Sequence, residues 1–174
     1  MSTEHEERER ARRGKRQAIL FLVKFLVLVV LFEGVFATLL ASSAPFETYL
    51  AWNARLSAGL LSLFGHEVSA TGVSLYSPEG SLEIRRGCDA LQPSAIFLSA
   101  VLAFAAPIGW KLAGAAIGVV ILLVVNLARI VTLYLLFVHA NGAFQTAHEA
   151  LWPTTFILLA LFLWLLWVKK LPAP

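Results

Sequence analysis

Three residues that can perform acyl-transfer chemistry together, Cys88, Arg129 and His148, lie far apart in the sequence. A cysteine thiolate attacks carbonyl carbons, and a neighbouring cation lowers the pKa of the thiol and favours the thiolate. A histidine can take and return a proton near neutral pH. An arginine keeps its charge and supplies fixed donors to an oxygen on which negative charge develops. The three types predict a cysteine nucleophile, a stabiliser of the oxyanion and an acid/base.

Cys88 is the only cysteine of the chain, so it cannot form an internal disulfide. Packing is the alternative interpretation, because unpaired thiols are often buried as small apolar groups. Charged residues surround Cys88 closely in the sequence, with Arg85 and Arg86 before it and Asp89 after it. These neighbours argue against a purely apolar environment and favour reactivity.

Arg129 lies in an apolar segment, where a charge costs about 2.5–3.5 kcal/mol on insertion scales and normally faces a partner or a cavity. Glu33 has a similar expected depth in the first apolar segment, so a Glu33–Arg129 ion pair is one explanation for the charge. Such a pair is compatible with catalysis, because the carboxylate can hold the guanidinium in place. Asn126 lies one turn before Arg129 on the same helix face. We expect Asn126, Glu33 and Asp89 to position the reacting groups rather than to react.

The histidine assignment has competing candidates. His148 stands three residues before the last apolar segment and is the preferred acid/base, while His139 and His66 remain alternatives. One cysteine and scattered histidines lack the ligand spacing of a metal site, so neither a metal nor another cofactor is predicted. A serine nucleophile, Ser94 or Ser99, is disfavoured because neither has a glycine-flanked turn.

The composition indicates an all-α integral membrane protein. Of the 174 residues, 59% are hydrophobic and only 14% are charged, whereas soluble domains carry about 45–50% apolar and about 25% charged residues. The basic residues at the N-terminus alternate with glutamates and lack accompanying aromatics. We therefore expect no nucleic-acid binding and interpret this segment as a cytoplasmic anchor beside the lipid bilayer.

The hydropathy pattern divides the chain into a basic cytoplasmic tail, 1–17, and a single polytopic membrane domain, 18–174. Segments of sufficient length and hydrophobicity predict four membrane spans at about 18–40, 91–107, 110–138 and 151–168. An amphipathic pattern within 46–64 predicts an interfacial helix, with a fifth span as the alternative. Alternating apolar residues around Ser77-Pro78-Glu79-Gly80 predict a small extracytoplasmic β-hairpin over 67–86.

Charge and helix length predict that the three reactive residues share one side of the membrane. With four spans, the basic tail, Lys111 and Lys169-Lys170 lie on the same side, which the positive-inside rule makes cytoplasmic. Arg129 follows Lys111 by eighteen residues, roughly 27 Å at about 1.5 Å per residue, which is close to the far boundary of a core about 30 Å thick. Cys88 and His148 precede spans that start from that outer side.

The residues around these positions resemble a known family, the exosortase/archaeosortase membrane cysteine transpeptidases. The resemblance rests on Gly87-Cys88-Asp89-Ala90-Leu91, on Asn126-Leu127-Ala128-Arg129 and on His148, and it covers roughly residues 85–168. It is greatest to the short H-type exosortases of Gram-negative bacteria. Members of the family usually have Cys-Ser-Gly or Cys-Asn-Gly where this chain has Cys88-Asp89-Ala90. The resemblance implies that Cys88 is the nucleophile, that Arg129 assists at the carbonyl and that His148 is the acid/base.

The resemblance further implies a membrane-embedded cysteine protease/transpeptidase. Its substrates would be exported proteins with a C-terminal sorting signal, consisting of a short motif, a transmembrane helix and a basic cluster. Cleavage would pass through a thioester to an unknown acceptor amine, hydroxyl or water. The enzyme would be a multi-pass protein of the bacterial inner membrane, with its N-terminus in the cytoplasm and its active site facing the periplasm.

One alternative from another functional class remains open at this point. The chain could be a non-enzymatic membrane scaffold or transporter subunit in which Glu33 and Arg129 form a buried structural pair. That interpretation requires contact between the two side chains, which a structure can test directly.

Overall fold

The computed structural model describes residues 2–171, so Met1 of the expected tail and residues 172–174 of the expected membrane domain lie outside the described residues. Over these residues the elements are, in chain order, α1 (Ser2–Val35), a π-helical turn (Phe36–Leu40), α2 (Ala44–Leu63), β1 (Ser69–Thr71), β2 (Ser74–Ser77), β3 (Gly80–Glu83), α3 (Leu91–Ala103), α4 (Ile108–His139), α5 (Asn141–Thr146), a second π-helical turn (Ala147–Leu151) and α6 (Trp152–Lys169). The expectation of a predominantly helical membrane protein is confirmed.

Within residues 2–171, three helical segments are long and apolar enough to cross a membrane: Glu7–Leu40, Ile108–His139 and Asn141–Lys169. The helix in the second expected span, α3, has only 13 residues, or about 20 Å, which is less than a hydrocarbon core of about 30 Å. The predicted count of four spans is therefore not confirmed. α3 ends early because Phe104 is extended, with ψ 144°, and because the residue before Pro107 is disfavoured in a helix.

In two places the helices extend beyond the expected membrane spans. The described part of the basic tail continues into the first apolar segment as one helix, α1. The expected loop over 139–150 is largely helical, because α5 and the second π-helical turn lead directly into α6. His148 consequently lies on a helical segment and not on a mobile loop.

The helix expected within 46–64 is α2, which is not among the three segments long and apolar enough to cross a membrane. Ser43 caps its first turn by accepting a hydrogen bond from the Phe46 amide at 3.4 Å. α2 packs against the first two strands and against α4. The buried face of α2 includes two polar residues, Asn53 and Ser57, which an apolar stripe alone does not explain.

The small sheet has the order β1-β2-β3, with both neighbouring pairs antiparallel. The expected hairpin is the β2–β3 pair, which closes where Ser77 pairs with Gly80. β1 is a third strand that the sequence analysis did not predict. Leu75, which is fully buried, pairs with Leu82, so one face of the sheet packs on the helices.

Two buried apolar clusters hold the fold together. The first, here the sheet-side cluster, joins α2, the sheet and the second half of α4, and its members are Phe36, Phe46, Leu50, Ala54, Ala58, Leu61, Leu75, Ile84, Ile130 and Tyr134. The second, here the bundle cluster, joins α3, α4 and α6, and its members are Ala90, Phe97, Val101, Leu122, Phe156, Ala160 and Trp167. The residues between β3 and α3 connect the two clusters.

Glycines on α4 allow large aromatic side chains to pack against its backbone. A Cβ atom at Gly118 would overlap the ring of Phe97 on α3, and one at Gly114 would overlap the indole of Trp167 on α6. Small residues in membrane helices permit such close approaches, and packing contributes much of the association energy there. The bundle is therefore fixed mainly by the complementary shapes of its side chains.

Candidate active site

Cys88 lies in an irregular segment between β3 and α3 that is built from tight turns. The Cys88 amide donates to the Arg85 carbonyl at 3.0 Å, which closes a four-residue turn. Gly87, at the third position of this turn, has φ +93°, a conformation that glycine adopts without steric cost. We call residues 85–90 the nucleophile turn. This turn explains why a glycine stands immediately before the cysteine.

Asp89 stabilises the nucleophile turn through backbone hydrogen bonds. Its Oδ2 accepts from the Gly87 amide at 3.0 Å and its Oδ1 from the Leu91 amide at 2.8 Å. The side chain is almost fully buried, and these bonds satisfy its oxygens in the absence of water. Asp89 thus spans the turn and the first residue of α3, an arrangement consistent with the positioning role expected for it.

Ala90, the next residue, has φ +57° and lies in the left-handed region. This is the position at which the exosortase/archaeosortase pattern has glycine, and the structure supplies a physical reason for that preference. The left-handed region costs a non-glycine residue roughly 1–2 kcal/mol. The turn accommodates alanine at that cost, since its side chain is small and is buried in the bundle cluster.

Arg129 reaches the nucleophile turn from α4. Its Nη1 donates to the Gly87 carbonyl at 2.8 Å, and its guanidinium lies 5.7 Å from the ring centroid of Phe156 on α6. The residue is only 5% exposed, and its Nε is buried without a hydrogen-bond partner among the described residues. The charge therefore lies beside the cysteine backbone and retains a donor, Nε, that no group within residues 2–171 uses.

The expected Glu33–Arg129 ion pair is not formed in the structure. The ion pairs among the described residues join Glu9 to Arg13 and Glu83 to Arg85, whereas Arg129 bonds to a carbonyl of the nucleophile turn. Similar depth in two helices did not imply that the two side chains share an interface. Glu33 is thus not the group that holds the guanidinium in place.

Asn126, one turn before Arg129, is fully buried and binds the same turn. Its Nδ2 donates to the Cys88 carbonyl at 3.0 Å and also approaches Oδ1 of Asn53 at 3.4 Å. Asn53 in turn donates from Nδ2 to the Tyr49 carbonyl at 2.9 Å, and the Tyr49 hydroxyl donates to the Asp89 carbonyl. Two residues of α2 therefore join the site.

His148 lies beside the cysteine sulfur, with 3.2 Å between its Nε2 and Sγ of Cys88. The second π-helical turn carries this histidine, and its ring stacks on Phe144 with an interplanar angle of 5° and a centroid separation of 5.9 Å. The stacked ring fixes the imidazole plane. A small cavity of about 40 Å³ adjoins the pair, and both Cys88 and His148 contribute to its wall.

The two alternative histidines lie together elsewhere. The rings of His66 and His139 are 6.1 Å apart, and His66 also contacts Tyr134 edge-on at 6.1 Å. Within residues 2–171, neither forms a hydrogen bond to Cys88, whereas His148 lies at bonding distance. The structure thus brings Cys88, Arg129 and His148 together at one end of the helices.

The ionisation of Cys88 differs from the expectation based on charge alone. Burial raises the pKa of the Cys88 thiol, while Arg129 lowers it and Asp89 raises it, and the net direction is upward. Desolvation therefore outweighs the nearby guanidinium, because it penalises the charged thiolate. A nearby group able to accept the thiol proton is therefore needed for the sulfur to act as a nucleophile.

The sequence matches one known family over most of its length. A family model described as a transmembrane exosortase matches residues 11–166. The chain belongs to the transmembrane exosortase family. No curated protein and no solved structure matches it. Within this exosortase, the family match includes every residue of the site described above.

The sequence analysis missed the contribution of α2 to the site. Tyr49 and Asn53 are four residues apart and so share a helix face, but the amphipathic pattern within 46–64 did not identify that face as part of the site. The available signal was the spacing of Asn53, which follows Tyr49 by four residues and Leu50 by three. An asparagine on such a face requires a hydrogen-bond partner once it is buried. Periodicity alone does not identify that partner.

Proposed function

We propose that this exosortase is a cysteine protease/transpeptidase that cleaves C-terminal sorting signals at the outer face of the bacterial inner membrane. The 3.2 Å separation between Cys88 Sγ and His148 Nε2 is the observation that carries the proposal. Membership of the transmembrane exosortase family supports a role in sorting, since that family consists generally of cysteine peptidases and transpeptidases. The substrates are exported proteins whose C-terminal tail has a short motif, a membrane helix and a basic cluster.

The first half of the reaction forms a thioester. His148 Nε2 takes the proton of the Cys88 thiol as the sulfur attacks the carbonyl carbon of the scissile peptide bond. Negative charge then develops on the carbonyl oxygen, and the guanidinium of Arg129 stabilises it from its buried position. The C–N bond breaks, and His148 returns the proton to the departing amine. The acyl group remains on the sulfur.

The second half of the reaction releases the acyl group. An acceptor amine, hydroxyl or water attacks the thioester carbonyl while His148 takes its proton. The C–S bond breaks, the product leaves with its new bond to the acceptor, and the sulfur regains a proton from His148. Because the turn restores its starting state, the enzyme is ready for the next substrate.

The ionisation of Cys88 supports this role for the histidine. Burial raises the pKa of the Cys88 thiol, so the thiol needs a proton acceptor, and His148 Nε2 lies 3.2 Å from the sulfur. The low-dielectric surroundings strengthen the electrostatic effect of Arg129 on the developing oxyanion. Asp89 and Asn126 position the turn without entering the reaction.

The distribution of basic residues supports the periplasmic orientation. The N-terminal tail, Lys111 and the Lys169-Lys170 pair are cytoplasmic in this proposal. A membrane-impermeant maleimide added to intact spheroplasts is expected to label Cys88, the only thiol of the chain. Labelling that requires prior permeabilisation would contradict the orientation and leave the proposed chemistry untouched.

The proposal is tested by expressing the full chain with a reporter that carries a C-terminal tail of the stated composition. We expect Cys88→Ala and Cys88→Ser to abolish processing, and His148→Ala to reduce it by roughly 10²–10⁴-fold, the usual contribution of general acid–base catalysis. His139→Ala is the matched control and is expected to process normally. Undiminished processing by Cys88→Ala would refute the nucleophile assignment.

The non-enzymatic alternative loses its structural support. It depended on a buried Glu33–Arg129 pair, and Arg129 instead bonds to the nucleophile turn. A scaffold has no requirement for a guanidinium beside a cysteine–histidine pair. The enzymatic proposal accounts for both features.

A further inference from the structure

The backbone of the nucleophile turn is held by side chains at three consecutive carbonyls. The Gly87 carbonyl accepts from Arg129, the Cys88 carbonyl from Asn126 and the Asp89 carbonyl from Tyr49. Each of these carbonyls lies outside the helices and strands, so helix or sheet bonds do not fix it. The peptide planes on both sides of Cys88 are thereby restrained, and with them the direction in which its side chain leaves the backbone.

These restraints come from two different elements. Arg129 and Asn126 belong to α4, whereas Tyr49 belongs to α2. α2 also contacts the α4 donor, because Oδ1 of Asn53 lies 3.4 Å from Nδ2 of Asn126. Asn53 uses its own Nδ2 to donate to the Tyr49 carbonyl, and this bond orients its Oδ1 toward Asn126. α2 thus acts on the turn directly and also through Asn126.

Packing alone does not account for the two α2 residues. The helix already docks through apolar side chains of the sheet-side cluster, among them Phe46, Leu50 and Leu61. Asn53 is only 6% exposed, and a buried amide costs stability unless its hydrogen bonds are made. Asn53 contacts Asn126, which donates to the Cys88 carbonyl, and the Tyr49 hydroxyl donates to the Asp89 carbonyl. Both α2 residues are therefore linked to the backbone around Cys88.

We propose that Tyr49 and Asn53 are positioning residues of this exosortase, through which α2 fixes the nucleophile turn and sets the approach of the Cys88 sulfur to His148. This inference rests on the proposed role of Cys88 as nucleophile. Neither side chain touches the reacting atoms, and both act through the backbone of the turn. A displacement of about 1 Å from remote substitutions is enough to cost roughly 100-fold in rate.

The test uses the full chain in membranes with the tailed reporter, and it compares Tyr49→Phe and Asn53→Ala with exposed controls. Tyr49→Phe removes one hydroxyl and leaves the ring, and its control is Tyr76→Phe, on the exposed side of β2. The control for Asn53→Ala is Asn141→Ala at the exposed start of α5. We expect kcat per folded molecule to fall roughly 10- to 100-fold in each test variant, with KM unchanged. Both controls should retain the wild-type kcat.

A second readout follows Cys88 without any substrate. The rate of alkylation by iodoacetamide is measured against pH in purified protein whose thermal unfolding is recorded in parallel. Burial raises the pKa of the thiol, and Arg129, Asp89 and His148 surround it. A loosened turn admits water to the sulfur, so the midpoint of the alkylation profile should fall toward that of an ordinary cysteine. A purely structural role would change the unfolding temperature and leave this midpoint unchanged in folded protein.

The outcomes separate the two proposals. Processing that persists in Cys88→Ala would overturn the nucleophile assignment and this inference with it. If Cys88→Ala is inactive while Tyr49→Phe and Asn53→Ala keep the wild-type kcat and midpoint, only the inference is refuted. Activity that falls solely in proportion to the amount of folded protein would also refute it. A fall in kcat together with a shifted midpoint supports the role of α2.

Discussion

The bundle cluster and the nucleophile turn are stabilised by different kinds of interaction. In the bundle cluster, α3, α4 and α6 pack apolar and aromatic side chains against one another and against glycine, with the Trp167 indole donating to the Trp110 carbonyl at 3.0 Å. Around the nucleophile turn, buried carbonyls, a carboxylate and a guanidinium are joined by directed hydrogen bonds. Changes in shape should therefore damage the bundle, whereas changes in hydrogen bonding should damage the site. Each of the following substitutions tests that difference.

The largest effect is expected for Arg129→Gln, which removes the buried charge beside the turn. Loss of one oxyanion donor typically costs about 10²–10³-fold in kcat, and the same fall in reporter processing is expected here. Because Arg129 lowers the pKa of Cys88, its removal should also move the midpoint of iodoacetamide alkylation to higher pH. Arg55→Gln, at an exposed position of α2, is the control. Processing at the wild-type rate by Arg129→Gln would contradict the proposed role of Arg129.

In the bundle, Gly118→Ala should destabilise the protein and leave the chemistry of the site intact. The new methyl group would overlap the ring of Phe97, which is almost fully buried and cannot move aside. Overpacking of this kind costs typically 1–3 kcal/mol, measured as a lower thermal midpoint in detergent. Gly109→Ala is the matched control, because a Cβ at Gly109 meets no atom within 4 Å. A shifted alkylation midpoint in folded Gly118→Ala protein would show that packing in the bundle also controls the site, contrary to the difference stated above.

Asp89→Asn is a smaller test, with the opposite electrostatic sign to that of Arg129→Gln. The carboxylate raises the pKa of Cys88, so its neutralisation should move the alkylation midpoint to lower pH. The amide NH₂ cannot accept the bond that Oδ2 accepts from Gly87, and this loss costs roughly 1–3 kcal/mol of stability. Glu79→Gln, in the β2–β3 turn, should leave the midpoint unchanged. A midpoint that rises in Asp89→Asn would count against the electrostatic assignment.

The smallest effect is expected for Ala90→Gly, which relieves the left-handed strain at the end of the turn. Replacement of a non-glycine residue at φ +57° should recover up to about 1–2 kcal/mol, reduced by the greater entropy of glycine in the unfolded chain. The measurement is thermal unfolding, with Ala90→Val as the comparison of opposite sign. Equal stability of the glycine and valine variants would contradict a left-handed backbone conformation at Ala90.

The features that the sequence analysis predicted depend on length and period. Long apolar segments predicted the helices that became α1, α4 and α6, and residue counting predicted that Cys88, Arg129 and His148 lie at the same end. The turn chemistry of Ser77-Pro78-Glu79-Gly80 predicted the β2–β3 pair. These features are local, or depend only on depth along a helix.

The features that the sequence analysis missed depend on which helix faces contact each other. Glu33 and Arg129 have similar expected depths, but Arg129 bonds to the Gly87 carbonyl. The amphipathic pattern of α2 does not specify which residue the amide of Asn53 contacts. Desolvation of Cys88 likewise depends on the packed structure, so nearby charge alone gave the wrong direction for its pKa. Rotation of one helix about its axis leaves depth unchanged and changes every contact.

His148 belongs to a helical path that runs from Asn141 to Lys169, whereas Cys88 belongs to the turn that precedes α3. His148 precedes Lys169 by 21 residues, which corresponds to roughly 32 Å of helix. A change of about 2° in helix tilt about Lys169 would move the His148 ring sideways by roughly 1 Å. Such a shift is enough to form or break its contact with the Cys88 sulfur. A small change in the tilt of this helix would therefore change the distance between the imidazole and the sulfur, and packing against the neighbouring helices is what holds that tilt.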